Sequence, residues 1–227
     1  MIKLSLARAG YDLQFLLDRA YPKSSALEFV GNRYQLEKQE RMILYRALFP
    51  KNKVLLRKAK LVKLKDFKGN RVILDGYNIT ITLESALKNN LMIFCNDSFV
   101  RDISGVFRKF RPSPLTEEAW NKIGTLLKNY SPREIVVVFD SPMSQSGQFA
   151  KMVWQWLKNF GLNAIVELSK TPERSMLEMK GIHCSADSFI LDKAESVFDL
   201  AGHIIKRHIK NVNAIYANAL TRPLPTE

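Results

Sequence analysis

Five consecutive apolar residues, Ile135-Val136-Val137-Val138-Phe139, run straight into Asp140. An unbroken apolar run of that length suits a strand covered on both faces, the setting of a parallel sheet between helices. The same grammar recurs along the chain. Val72-Ile73-Leu74 ends at Asp75-Gly76-Tyr77-Asn78, Asn163–Leu168 reads as a strand, Gly181–Ser185 as a fourth that stops just before Asp187, and Val197–Leu200 as a short last one. Helical stretches lie between them: Ile79–Leu87, Glu117–Leu127 capped by Thr116, Phe149–Phe160 closed by Gly161, and a basic helix Gly202–Lys210. Leu91–Cys95 and Ser98–Val100 read as a hairpin around Asn96-Asp97. Strands alternating with helices predict an α/β domain with a mostly parallel central sheet.

The first 68 residues follow a different pattern. Leu4, Ala7, Tyr11, Phe15 and Leu16 recur at helical spacing, and Tyr21-Pro22 ends that helix. A short helix from Ser24 or Ser25 is expected to stop at Gly31-Asn32, and a third carries Leu36, Ile43, Leu44 and Leu48 up to Pro50. Lys51–Lys68 reads as a basic connector. Two helices broken at Gly31 resemble a helix-turn-helix, and a plain helical cap on the next domain is an equal reading. The expected division is therefore a basic helical region, 1–68, and an α/β domain, 69–227.

Charge separates the same two parts. Residues 1–70 carry 16 Lys/Arg against 6 Asp/Glu, whereas residues 71–227 carry 19 against 16, out of a net +13 over 227 residues. A basic segment beside a near-neutral one is the electrostatic footprint of a polyanion binder, and Arg33, Arg41, Arg57, Lys58, Lys60 and Lys63 are the candidate phosphate contacts. Tyr11, Tyr21, Tyr34 and Tyr45, interleaved with basic residues, are candidates for stacking on bases. The 46% hydrophobic content excludes a disordered chain. Cys95 and Cys184 are too few for a disulfide scaffold and suit a reducing compartment. No apolar stretch approaches a membrane span and no signal-peptide core builds at the N-terminus, so a cytoplasmic location without membrane contact is expected.

Chemistry is expected at one edge of the sheet. In a parallel α/β sheet the ligand site lies outside the carboxyl ends of the strands. Asp75, Asp140 and Asp187 all fall there, and converging carboxylates repel one another unless a cation neutralises them. Oxygen ligands favour a hard divalent ion, Mg²⁺ or Mn²⁺. Glu84 is a candidate fourth acid from the following helix, and Asp97 and Asp102 are candidates from the hairpin. Asn78 can hold Asp75 or a phosphate, and Ser141 and Ser144 lie in a polar loop able to cradle one. His183, His203 and His208 have no metal-ligand spacing, so no zinc site is expected.

At these residues the sequence resembles a known family. Val72-Ile73-Leu74-Asp75-Gly76-Tyr77-Asn78 looks like the opening strand of PIN/NYN-like nucleases, Val136-Val137-Val138-Phe139-Asp140 like their middle acidic strand, and Ser185-Ala186-Asp187-Ser188-Phe189-Ile190-Leu191 like their late acidic motif. With Val30-Gly31-Asn32-Arg33-Tyr34 and Glu40-Arg41 upstream, the whole resembles uncharacterised prokaryotic proteins of a domain-of-unknown-function family, with a basic helical region before a PIN-like domain. The resemblance implies a three-layer α/β/α fold and hydrolysis of RNA phosphodiesters. It also implies Asp75, Asp140 and Asp187 as metal ligands and catalytic acids, Glu84 beside them, Mg²⁺ or Mn²⁺ as cofactor, and homodimers as a common assembly. RNA is the expected partner, with DNA the alternative. The rival readings are an inactive nucleic-acid-binding protein and a helix-turn-helix regulator.

Overall fold

The computed structural model describes residues 3–103, 110–143 and 145–222. Four helices come first: α1 Leu4–Asp18, α2 Lys23–Arg33, α3 Lys38–Ala47 and α4 Lys51–Ala59. α1 buries Leu6, Ala9, Leu13 and Leu17, the three-to-four spacing of one helical face. α3 begins with a capping box in which the Glu37 side chain accepts from the backbone of Glu40 and the Glu40 side chain from that of Glu37.

Two expectations are corrected here. Gly31 does not end α2, which runs on to Arg33; its missing Cβ instead leaves room for the Arg41 guanidinium, which would overlap any side chain there. Lys51–Ala59 is a helix rather than a connector. A proline at its N-cap opens it, its interior has neither glycine nor proline, and Arg57 on its buried face holds it to the rest of the fold.

The central sheet has five parallel strands: β1 Arg71–Asp75, β4 Glu134–Asp140, β5 Ala164–Ser169, β6 Ile182–Cys184 and β7 Val197–Phe198, in the order β5-β4-β1-β6-β7. Side chains alternate across it. Val72, Leu74, Ile135, Val137 and Phe139 face a core shared with helices α5 Gly76–Leu87, α6 Pro114–Tyr130, α7 Ser146–Asn159 and α10 Leu200–His208. Ile73, Val136 and Val138 face the opposite core, closed by α8 Pro172–Leu177 and α9 Ser188–Lys193 through Met176, Ile190 and Leu191. The molecule is thus α/β with helices on both faces of a parallel sheet. Leu61 pairs alongside Val197, so the chain leaving α4 covers the β7 edge. The expected strand at 197–200 stops at Phe198, because Asp199 caps α10 by accepting from the Gly202 N–H at 2.8 Å.

A second sheet joins the two parts of the chain. β2 Met92–Phe94 and β3 Val100–Asp102 form the expected hairpin, and β8 Ala214–Tyr216 adds in parallel to β2. Ile93 of this sheet and Cys95 just past β2, with Ala217 and Leu220 from α11 Ala217–Leu220, pack into one core with Leu13, Val30, Leu44 and Leu48 of the helical region. The four helices therefore do not own a separate core; hairpin and C-terminus complete it.

Candidate active site

The order β5-β4-β1-β6-β7 reverses direction at β1, whose chain continues to β4 on one side while β6 lies on the other. A crevice opens at the carboxyl ends of strands at such a reversal. A pocket of about 200 Å³ occupies it, lined by Asp75, Tyr77, Asn78, Asp102, Asp140, Glu173, Asp187 and Arg46 among others. The three strand-end aspartates and Asp102 therefore share one cleft.

Local structure holds each acid in its own way. Asp75 ends β1 and caps α5. Its Oδ1 accepts from the Asn78 N–H at 3.3 Å and its Oδ2 from the Ser185 hydroxyl at 2.7 Å. Gly76 is required next, since a Cβ there would overlap the Phe139 ring. The Asn78 side chain accepts from the Ala186 N–H at 3.0 Å, so it ties the end of β1 to the turn after β6. Asp187 caps α9, with Oδ1 accepting from Phe189 and Ile190 N–H groups at 2.8 and 3.3 Å. Capping and site roles coexist, because a carboxylate has a second oxygen to offer. Asp140 has no hydrogen-bond donor on its carboxylate among the described residues.

Among the described residues no Lys or Arg is ion-paired to Asp75, Asp140 or Asp187. Burial pushes the Asp75 carboxyl up to about 7; the Ser185 hydroxyl and Asn78 N–H oppose this in part, and the Asp187 and Glu173 charges add to it. Burial also raises Asp140 above its ordinary value. Tyr77, buried beside Asp140, is held up at about 12, so its phenol keeps its proton. A crevice acid displaced by burial and like charge marks a functional-site candidate.

Other expected site residues lie elsewhere. Glu84 is buried on α5 against α6, where its carboxylate accepts from the Thr116 hydroxyl and pairs with Lys88 at 2.6 Å; about two and a half turns past Asp75, it does not line the pocket. Asp97 is fully buried between Arg57 and Arg101, at 2.6 and 2.8 Å, so it is an anchor of the hairpin rather than a site acid. Ser141 follows Asp140 but does not line the pocket; its N–H donates to the Ser169 carbonyl and its carbonyl accepts from Ser146. Ser144 lies outside the described residues.

The expected phosphate contacts are largely committed to the fold. Arg57 is buried in ion pairs with Asp97 and Asp192. Arg41 donates to the Leu36 carbonyl and to Asn32, and Lys60 to the last carbonyls of α9, Leu191 and Asp192. Arg33 sits 4.0 Å from Asp12, and neither it nor Lys58 nor Lys63 lines the pocket.

Two charged residues of the cleft escaped the sequence reading. Arg46, in the last turn of α3, lines the cleft from the helical region, a long-range approach no local pattern announces. Glu173 follows Thr171-Pro172, a helix-start signature directly after β5 that the sequence did carry.

Among the described residues, no three His, Cys, Asp or Glu side chains stand close enough to grip an ion by themselves. An ion of the Mg²⁺ type takes only one or two carboxylates directly and completes its shell with water and substrate phosphate. Asp75, Asp140 and Asp187 supply such oxygens in one cleft.

Fold and cleft define an α/β protein with an acid-lined crevice at a sheet reversal and helices in front. Residues 64–203 match the family described as domain of unknown function DUF5616, and the chain belongs to that family. Residues 5–60 match a second, described as protein of unknown function DUF434. An uncharacterised protein of Methanocaldococcus jannaschii is 33% identical over 194 residues, 86% of this chain and 92% of the relative. No solved structure matches. Among the described residues no helix is long and apolar enough to cross a membrane.

Proposed function

We propose that the protein is a PIN-like, divalent-metal-dependent ribonuclease. The observation that carries this reading is the meeting of Asp75, Asp140 and Asp187 in one crevice, with the Asp75 carboxyl raised to about 7 and no cation paired to it among the described residues. Strand order supports it: numbered within the central sheet the order is third, second, first, fourth, fifth, with the acids at the reversal.

Asp75, Asp140 and Asp187 would hold Mg²⁺ or Mn²⁺ together with water and the substrate phosphate, some of them through that water rather than directly. Such an ion would supply charge neutralisation at a phosphoryl oxygen and acidify a water. The chain's own part is positioning. Ser185 and the Asn78 N–H fix the Asp75 carboxylate, and the Arg46 guanidinium is placed to hold a non-bridging phosphate oxygen. Asp140, whose carboxylate has no donor among the described residues, takes the proton of the attacking water. Water oxygen then bonds to phosphorus as one backbone P–O bond breaks in line, the departing oxygen leaves as a hydroxyl after taking a proton from solvent water, and Asp140 returns its proton to solvent.

The test is cleavage of mixed single-stranded and structured RNAs with Mn²⁺. Asp75→Asn and Asp140→Asn are each expected to cut at least about 100-fold more slowly than the parent, the scale of losing a proton-transfer or charge-stabilising group. Equal cutting by parent and variants would remove the proposed role.

A second reading, a nucleic-acid binder that does not cut, is favoured by one observation: no three acids among the described residues stand close enough to grip an ion alone. Tight binding with intact RNA would select it. For the helix-turn-helix regulator the placement of α3 is unfavourable, because its last turn, Tyr45 and Arg46, lines a groove shared with Arg101, Ala186 and Asp187 of the α/β part.

A further inference from the structure

A groove of about 890 Å³ runs between the helical region and the sheet and opens into the acid pocket, with which it shares Arg46, Asn78 and Asp187. Its charge is lopsided. Lys23, Arg46, Lys51, Lys53, Arg57 and Arg101 line it, against Asp18 and Asp187. Four of these cations already have carboxylate partners: Lys51 with Asp18, Lys53 with Asp192, and Arg57 and Arg101 with Asp97. Lys23 and Arg46 do not, among the described residues.

Lys23 is placed at a cost. Its ammonium lies 3.8 Å from the centre of the Phe49 ring and 4.6 Å from that of Tyr45. Burial, and then the charges of Arg101 and Arg57, push it down to about 7. A half-buried cation facing other cations is stabilised by an anion entering the groove. Beside it, Tyr21 and Tyr45 line the groove while remaining 55% and 48% exposed, so their rings are available for stacking.

We infer that this groove is the track of a single-stranded RNA segment: Lys23 and Arg46 hold successive phosphates, Tyr21 and Tyr45 stack bases, and the strand leads its next phosphate to Asp75, Asp140 and Asp187. The inference deepens the ribonuclease reading and rests on it for the direction of the strand. It also gives the helical region a task, since one site then draws its cations from the segment 5–60 and its acids from 64–203.

The test is fluorescence anisotropy of the full chain in EDTA with a labelled single-stranded RNA of about 12 nucleotides, within the span of single-strand sites. The double variant Lys23→Gln/Arg46→Gln is expected to bind at least about tenfold more weakly, with the slope of log K against log salt smaller by about 1.4, two single-strand phosphate contacts. Tyr45→Ala is expected to weaken binding about tenfold with an unchanged slope. Lys128→Gln, an exposed charge on α6 away from the groove, controls for net charge and is expected to bind like the parent.

Parent-like affinity and slope in the double variant overturn the track, as does competition by free nucleoside monophosphate at the same concentration as the oligonucleotide, which would mark a small-ligand cleft. The two proposals fail separately. Loss of cleavage in Asp75→Asn with normal binding by the double variant keeps the nuclease and removes the track. Loss of binding in the double variant, with no cleavage even by the parent, keeps the track and removes the nuclease.

Discussion

Two carboxylates, the enclosed Asp97 and the half-buried Asp75, have opposite electrostatics. Asp97 is completely enclosed, yet Arg57 donates to Oδ2 at 2.6 Å, Arg101 to both oxygens at 2.8 and 2.9 Å, and the Phe99 N–H to Oδ1 at 3.2 Å. Burial alone would raise its pKa, but the two guanidiniums outweigh it and hold the carboxyl below its ordinary value. Asp75 has a hydroxyl and one backbone N–H, and its charged neighbours are Asp187 and Glu173. The first acid is satisfied by the protein and does structural work, fastening α4 and β3. The second has no cationic partner among the described residues. Partnership, more than burial, separates a structural acid from a site acid.

The largest effect expected from breaking this contrast is at Asp97. Asp97→Asn leaves Arg57 and Arg101 buried without their counter-charge and is expected to cost about 3–5 kcal/mol in urea unfolding. A loss below about 1 kcal/mol would mean the network behaves like a surface pair.

Divalent ion comes second. At a concentration 100-fold above its dissociation constant, Mn²⁺ is expected to stabilise the parent by about 2.7 kcal/mol, and Asp75→Asn much less. Equal stabilisation of both would place the ion elsewhere.

Next is the pH dependence, where the two acids have opposite signs. Asp75 titrates at about 7 in the fold against 3.8 ordinarily, so between those values the folded chain holds the extra proton. Stability contributed there falls as pH rises through that window and is flat above it. Asp97, lowered from 3.8, contributes stability that is present above that value and lost as pH falls through its folded pKa. Asp75→Asn is therefore expected to be more stable than the parent at about pH 8 in EDTA, with the difference shrinking towards about pH 5. A gap that does not change with pH would contradict the raised pKa.

The smallest effect concerns a lysine that looked like a phosphate contact. Lys60→Gln removes a donor to the last carbonyls of α9 and is expected to cost about 0.5 kcal/mol in thermal unfolding.

The central sheet was legible because its signals are local. An unbroken apolar run such as Ile135–Phe139 and an aspartate at its end are written in consecutive residues, and β1, β4, β5 and β6 lie where those runs lie. The strand-end acids were legible for the same reason: parallel strands present one kind of end to one edge. Partnership was not legible. Nothing near Asp97 in sequence announces Arg57, forty residues away, so it looked as suitable a ligand as Asp102. Glu84 sat one helix beyond Asp75, but the direction of its side chain was set by Thr116 and Lys88. The basic region misled in the same way, since clustering in sequence separates neither the buried Arg57 nor the helix-ending Lys60 from Arg46 in the cleft. β8 was missed because Ala214–Tyr216 is three residues long and becomes a strand only beside β2.

The central claim, that Asp75 is a half-buried carboxylate that takes a cation, is tested most directly by titrating its side-chain carboxyl by ¹³C NMR, in EDTA and then with Mg²⁺, using Asp75→Asn to assign the signal. The account predicts a midpoint near 7 without the ion and a shift to well below it when Mg²⁺ is added. A midpoint near 3.8 that Mg²⁺ leaves unmoved would contradict it.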